Sequence, residues 1–330
     1  MVPFELVILI VVFGLLFDYT NGFHDAANVV STVIATRVLK PLTAIILAAV
    51  LNTLGATQIS GVAQTITTGL VNAADTTQLT VLCALIGAIV WNLLTWYFGI
   101  PSSSSYALIG GLVGASIVSQ GLNTIIWSGV IYKVIIPMVI SPPIGFLIGY
   151  LLLRGLNSCI KRGIITHQNK LFARLQIVSA SLVALSHGLN DAQKSMGIIT
   201  LGLYAGGVIT QTHIPLWVIL ACALMMGLGT ASGGFRIIRT VGYEITPLKP
   251  LQGFAAETSA SFVILAASFL GMPISSTHMI VGSVTGVGLA RKPSKVHWSI
   301  GQKMVGAWVL TLPGSALAAW LSYLAIHPLF

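Results

Sequence analysis

The sequence predicts an all-α integral membrane protein made of two inverted-topology repeats, with broken helices, re-entrant hairpins and about 10–12 membrane segments. Three observations lead there. Of the 330 residues, 55% are hydrophobic and 7% charged, with a mean hydropathy of +0.94, whereas soluble domains carry about 25% charged residues. Apolar stretches approaching the roughly 20 residues that span a bilayer recur from Glu5–Phe17 through Ile300–Ile326 with scarcely a polar interval. Two polar motifs each occur twice, in the same order.

Spanning segments must satisfy their backbone hydrogen bonds internally, which leaves helices or a closed barrel. The apolar runs are continuous and lack the period-2 alternation of a barrel, so helices are expected. Met1–Phe17 carries Glu5, no basic leader and no small-residue cleavage site, and reads as a retained first helix rather than a signal peptide. The net charge of +9 sits in short loops between apolar segments, a topological pattern and not a nucleic-acid surface. Cys83, Cys159 and Cys222 are widely spaced and suggest neither a metal site nor a disulfide framework.

The first motif, Asn21-Gly-Phe-His-Asp-Ala-Ala-Asn28, returns as His187-Gly-Leu-Asn-Asp-Ala-Gln-Lys194 at an offset of 166. The second, Gly99-Ile-Pro-Ser-Ser-Ser-Ser-Tyr-Ala-Leu-Ile-Gly110, returns as Gly271-Met-Pro-Ile-Ser-Ser-Thr-His-Met-Ile-Val-Gly282 at an offset of 172. A proline-broken helix is expected in each half, at Ser141-Pro-Pro143 and at Pro313-Gly314. The chain therefore divides into a first repeat over 1–155, a basic connector over 156–171 and a second repeat over 172–330.

Loop charge suggests that the repeats face opposite ways. Arg37 and Lys40 follow the first copy of the first motif, while Leu203–Pro215 after the second copy has no basic residue but His213. Ser119–Thr124 has none, and its counterpart carries Arg291, Lys292 and Lys295; Thr57–Gln78 has none, and its counterpart carries Arg236, Arg239 and Lys249. Because Lys and Arg favour cytoplasmic loops, equivalent loops lie on opposite sides. The connector, with Lys161, Arg162 and Lys170, is expected in the cytoplasm and both termini outside. Inverted repeats with discontinuous helices characterise secondary transporters.

Seven acids occur in the chain, and Asp25 and Asp191 occupy equivalent places in the first motif. A charged residue at the bilayer centre costs about 2.5–3.5 kcal/mol on insertion scales, so a matched pair points to function, the alternative being a polar knot between helices. Asn21, Asn28 and Asn190, with Gly22 and Gly188, are expected to break the helices there and to bind a coupling ion with the acids. In the second motif, proline precedes Ser102, Ser103, Ser104 and Ser105 in one half, and Ser275, Ser276 and Thr277 in the other. Such a run starts a helix, where free N–H groups and the positive dipole end attract an anion; ordinary capping is the competing explanation. Glu257 reads either as a cation or proton carrier or as a partner of Arg236 or Arg239. Lys194 replaces a bound cation, neutralises Asp191 or snorkels from a helix end, and His24 either shuttles protons or is a tautomer-fixed hydrogen-bonding histidine. Glu5, Asp18, Asp75 and Glu244 read as loop or interface charges. No nucleotide-binding loop, metalloprotease motif or nucleophile elbow is present, which excludes the enzyme classes that those motifs mark.

Asn21–Asn28, Ser186–Gly197 and Pro273–His278 resemble the motifs of the PiT family of inorganic phosphate transporters, a resemblance that covers nearly the whole chain and is nearest to the bacterial low-affinity members. It implies a symporter, often a homodimer, of the cytoplasmic membrane. Phosphate would be held by Ser103, Ser104, Ser105, Ser275, Ser276, Thr277, Asp25, Asp191, Asn28 and Asn190. Coupling cations would bind near Asp25, Asp191, Asn21, Glu257, His24 and Lys194, with no resident cofactor or metal. The low-affinity branch implies protons as the coupling ion and phosphate carried with a divalent metal as a neutral complex. Sodium coupling, sulfate transport on the same scaffold and an uncoupled anion channel stay open as alternatives.

Overall fold

A computed structural model describes residues 4–58, 61–165, 168–233 and 235–329. In chain order the helices are α1 (Phe4–Ala35), α2 (Pro41–Ala56), α3 (Gly61–Thr68), α4 (Gln78–Tyr97), α5 (Ser104–Gln120), a short α6 (Trp127–Gly129) that runs through a π turn into α7 (Ile136–Lys161), then α8 (Gln168–Ala205), α9 (Leu216–Ser232), α10 (Phe235–Arg239), α11 (Pro250–Phe269), α12 (Ser276–Arg291) and α13 (Trp298–Ile326). The described residues contain an isolated bridge between Val71 and Ile125 and no strand.

Five helical segments are long and apolar enough to cross a membrane, and up to seven if α2 with α3 (bent by 67°) and α9 with the segment after it (bent by 72°) each make one span. The helices α5, α11 and α12 are too short or too polar to be counted among them. The order of long helix, bent pair, helical hairpin and long final helix occurs once over α1–α7 and again over α8–α13.

Contacts exchange between the halves in the same pattern. α1 packs on α9 while α8 packs on α2, and α5 packs on α13 while α12 packs on α7. The equivalent helices α1 and α8 run antiparallel where they touch: Ile10 meets Gly202, Gly14 meets Ile199, and Asp18 meets Ser195.

The hairpin tips follow directly from their sequence. α4 and α11 each end at a glycine in the left-handed region, Gly99 (φ 66°) and Gly271 (φ 64°), which only a residue without Cβ adopts freely. The amides of Ile100 and Met272 then close on the carbonyls of Thr95 and Ala267 at 2.9 and 2.8 Å, and the following prolines stop further helix. Ser103 and Ser275 restart it, each accepting the backbone N–H three residues on, from Tyr106 and His278, at 3.2 Å. The turns themselves carry exposed apolar side chains, Phe98 and Ile100 in one half and Phe269 and Leu270 in the other, whereas the restart residues Ser102–Ser105 and Ile274–Thr277 are buried, so this capping satisfies the backbone where each new helix begins inside the protein.

Two expectations are corrected here. The first motif does not interrupt its helices: α1 and α8 are continuous through Asn21–Asn28 and Gly188–Asn190. Gly22 and Gly188 serve close helix crossing instead, since a Cβ would lie 2.6 Å from the Met226 carbonyl oxygen or 2.1 Å from that of Asn52. Nor do Pro142, Pro143 and Pro313 break α7 and α13. The chain bends instead at the junctions after α2 and after α9, where Gly233 has φ 70°.

The charge pattern becomes spatial. Asn157 and Asn169, near the two ends of the connector, share a cavity of about 230 Å³ with Lys249, Gln252 and Arg291. The opposite end, at the start of α4 and the close of α5, presents Asp75, Gln120, Asn123 and Thr124. The side chains of Arg236 and Lys295 lie outside the described residues. Asp18, read as a loop or interface charge, is fully buried on α1.

The crossing of α8 on α2 yields a stability test. Gly188→Ala is expected to destabilise the protein by about 1–3 kcal/mol through overpacking and to lower its thermal midpoint in detergent. Gly155→Ala, where a Cβ meets nothing within 4 Å, should leave that midpoint unchanged or raise it slightly.

Candidate functional site

The hairpin tips bring the second motif against the first. On α1, the Asp25 carboxylate accepts from Ser104 Oγ (2.8 Å to Oδ2) and Thr277 Oγ1 (3.1 Å to Oδ1), one hydroxyl from each half. His24 Nδ1 lies 2.9 Å from the same Oδ1, so an ionised Asp25 selects the tautomer with hydrogen on Nδ1. The far side of the ring, Nε2, meets Thr95 and Ser102 hydroxyls, each at 3.3 Å.

On α8, Asp191 accepts from Ser276 Oγ at 2.8 Å and pairs with the Lys194 ammonium. His187 Nε2 approaches its Oδ2 to 2.9 Å, and His187 Nδ1 lies 3.1 Å from Asn52 Oδ1. Lys194 is 1% exposed and also donates to Ser105 Oγ and, at 2.9 Å, to the Ile274 carbonyl. Its counterpart Asn28 makes the equivalent cross-repeat bond, Nδ2 to Thr277 Oγ1 at 2.8 Å. Each first-motif helix thus reaches the hairpin tip of the other half, and one atom each of Asp25, His187 and Asp191 fall within 4.8 Å of one another.

Of the residues singled out in the sequence, Asp25, Asp191, Ser104, Ser105, Ser276, Thr277, Asn28, Lys194 and His24 form this connected cluster. Ser103 and Ser275 face their own helices as caps, the ordinary role weighed for such residues. Asn190 ties α8 to the second hairpin, donating to Ser268 Oγ at 2.8 Å and to the Met272 carbonyl at 3.3 Å. Asn21 is buried beside the cluster, its Oδ1 without a donor.

Glu257 has its own pocket about two turns of α1 beyond Asp25, where it accepts from Thr32 Oγ1 (2.5 Å), Gln176 Nε2 (3.0 Å) and Ser179 Oγ. Of the arginines considered as its partners, Arg239 faces Glu244 at 3.5 Å. His187, Asn52 and Thr95 are members of the site that sequence reasoning did not pick out, and Ser102, named there as the first of the serine run, turns to His24 rather than to an acid. The signal for His187 was its register: it stands 166 residues after Asn21 and opens the second copy of the first motif.

Buried carboxylates facing hydroxyl-bearing helix starts, within a polytopic helical scaffold, define a membrane transporter site rather than an enzyme centre. Residues 21–319 match the phosphate transporter family. The chain is 44% identical over 328 residues to a probable low-affinity inorganic phosphate transporter of Bacillus subtilis, covering 98% of each. It is 46% identical over 328 residues to one of Mycobacterium tuberculosis strain H37Rv, covering 98% of this chain and 78% of that one. The solved structure of a sodium-dependent phosphate transporter superposes with a TM-score of 0.88 at 25% identity, over 99% of this chain and all of that one. The chain belongs to the phosphate transporter family, and it is a transporter.

The Lys194–Asp191 pair is testable as a buried ion pair. Lys194→Met leaves Asp191 without its ammonium and is expected to cost about 3–5 kcal/mol, seen as a lowered thermal midpoint in detergent. The double variant Lys194→Met/Asp191→Asn should recover part of that loss, which gives a positive coupling in a double-mutant cycle.

Proposed function

We propose that this chain is a proton-coupled symporter that imports inorganic phosphate across the cytoplasmic membrane, with the anion bound between Asp25, Asp191 and the starts of α5 and α12. One observation carries the reading: each carboxylate is already engaged by a hydroxyl from the first turn of a hairpin helix, Ser104 to Asp25 and Ser276 to Asp191. A tetrahedral oxyanion arriving there takes over those hydroxyls and the free N–H groups of the two helix ends.

Two carboxylates beside an anion site favour a ligand that brings its own protons. Near neutral pH phosphate carries one P–OH group as the dianion and two as the monoanion and can donate to Asp25 or Asp191, whereas sulfate carries none and offers the carboxylates no proton. Phosphate is for that reason the better fit. A divalent metal travelling with the phosphate would find oxygen and nitrogen donors in Asp25, Asp191 and His187; such a metal is cargo here, not a resident cofactor.

For the coupling ion, Lys194 is the residue that matters. Its ammonium occupies the second half's equivalent of the Asn28 position and already satisfies Asp191, so a fixed cation stands where a mobile one would bind. That supports protons over sodium. Sodium coupling, suggested by the sodium dependence of the structurally similar transporter, is the alternative to be tested. Accumulation against a gradient separates either from an anion channel, which cannot concentrate its ion.

The two halves are inverted in this reading, with both termini outside and the connector inside. The antiparallel contact of α1 with α8 supports it, as does the gathering of Lys249 and Arg291 beside the connector.

The test is radiolabelled phosphate uptake into proteoliposomes. An imposed pH gradient, acid outside, is expected to drive accumulation without sodium, and an uncoupler to abolish it; accumulation that requires a sodium gradient overturns the proton assignment. Ser276→Ala should raise KM for phosphate about tenfold, the loss of one hydrogen bond to a charged group. A tenfold excess of sulfate should leave uptake largely unchanged.

A further inference from the structure

Asp18 stands outside the cluster described above, two turns before Asp25 on α1, and is fully buried. Its Oδ1 accepts from Ser195 Oγ at 2.6 Å, and its Oδ2 has no donor. The other buried acids are better provided for. Glu257 accepts from Thr32, Gln176 and Ser179; Asp25 is faced by Ser104, Thr277 and His24; Asp191 has Ser276, Lys194 and His187. A carboxylate with a single neutral donor and no water-accessible surface is the least favourably placed of the four buried acids among the described residues, because burial without partners is not offset.

Among the described residues no counter-charge is in contact with Asp18. α8 places Asp191 one turn before Ser195 and Lys194 immediately before it, but the Lys194 ammonium is held by Asp191, Ser105 and the Ile274 carbonyl. The titratable groups of α9 and α4, both packed on α1, are the thiols of Cys222 and Cys83 together with Tyr97 at the far end of α4. On α1 itself, His24 and Asp25 are engaged with each other. The duplicated architecture does not need the acid either: the positions equivalent to Asp18 and Ser195, at the first motif's offset of 166, are Ala184 and Val29.

We propose that Asp18 is the proton-carrying group of the transport cycle, with Ser195 as its hydrogen-bonding partner. This rests on the proton-coupled reading above. In the buried state Asp18 is the neutral acid. Its carboxyl O–H bond forms from a proton taken up on the outer side with phosphate and breaks on the inner side, the proton leaving to water, with no other bond made or broken. Once ionised, Asp18 competes with Asp191 for the nearest cation, Lys194, which loosens the grip of Lys194 on the hairpin tip at Ser105 and Ile274. Proton release at one acid is in this way transmitted to the anion site a helical turn away.

The experiment compares two assays on reconstituted protein: phosphate accumulation driven by a pH gradient without sodium, and phosphate–phosphate exchange at equal pH. Asp18→Asn is expected to lose the gradient-driven accumulation, falling to the level without a gradient, while exchange persists; Asp18→Glu should restore accumulation. Asp18→Asn that accumulates like the parent overturns the proposal. So does a folded Asp18→Asn, monodisperse by gel filtration, that loses exchange as well, because the carboxyl is then part of binding or structure. Ser195→Ala provides a second check that does not depend on the folding of the Asn variant. Loss of the one donor disfavours the ionised acid, and the pH midpoint of uptake should move to higher pH by about half a unit or more; an unmoved midpoint overturns the proposal. If the unsubstituted protein accumulates phosphate only with sodium, the proton reading itself has failed and Asp18 falls with it, an outcome distinguished by its appearance before any substitution.

Discussion

Everything in this fold answers to the difficulty of holding two carboxylates close together away from water. Asp25 and Asp191 contribute donor atoms to a set no wider than 4.8 Å, an arrangement whose repulsion and lost hydration must be offset by hydrogen bonds and opposite charge. The offset comes from helix starts. Ser104, Ser276 and Thr277 lie in the first turns of α5 and α12, and those turns exist inside the protein because glycine, proline and serine stop one helix and start the next within six residues. Helix starts held in the interior are therefore a requirement of the site and not an ornament of the topology.

The same demand explains the tight crossings. For the hairpin tips to reach α1 and α8, the long helices must lie almost backbone to backbone on their neighbours. Glycine permits this at Gly22 on α9, Gly188 on α2, Gly110 on α13 and Gly282 on α7. Continuous α1 and α8 then act as rigid rails, each carrying one acid past the other half's hairpin tip. Within this two-fold frame several departures from symmetry are ionisable or polar: His24 opposite Asn190, Lys194 opposite Asn28, His187 opposite Asn21, Asp18 opposite Ala184. A symmetric skeleton suits two opposed orientations of the site; an asymmetric charge set makes its two sides chemically different.

Much of this was legible in the residues. The pairing of Asp25 with Asp191, and of the serine run after Pro101 with that after Pro273, followed from order and spacing, because duplicated polar groups in an apolar chain are too costly to arise from packing alone. The helix breaks were misplaced. Asn and Gly at 21–28 read as breakers by local preference, yet the crossing partner used the glycine as a contact surface and left the helix intact. Proline at 142–143 and 313 likewise read as a break, and the helix carried on, since neighbouring helices in a membrane bundle can hold a proline-containing segment in place. Asp18 looked like a loop charge because nothing in its immediate sequence marks depth; burial is a property of the neighbours on α8 and α9.

The sequence by itself determined that the chain is helical and membrane-embedded with two duplicated polar motifs, and it marked two acids and two hydroxyl-capped helix starts as the candidate site, because hydropathy, motif spacing and turn chemistry are local quantities written along the chain. Only the tertiary structure decided which residues share the site. It brought His187 to Asp191 with Asn52 behind it, placed the Thr95–Ser102 pair on His24, set Glu257 apart with Gln176 and Ser179, and turned Ser103 and Ser275 into caps. Those assignments depend on how helices distant in sequence cross, and crossing is settled by side-chain volume and backbone approach at positions that a single strand of letters does not bring together.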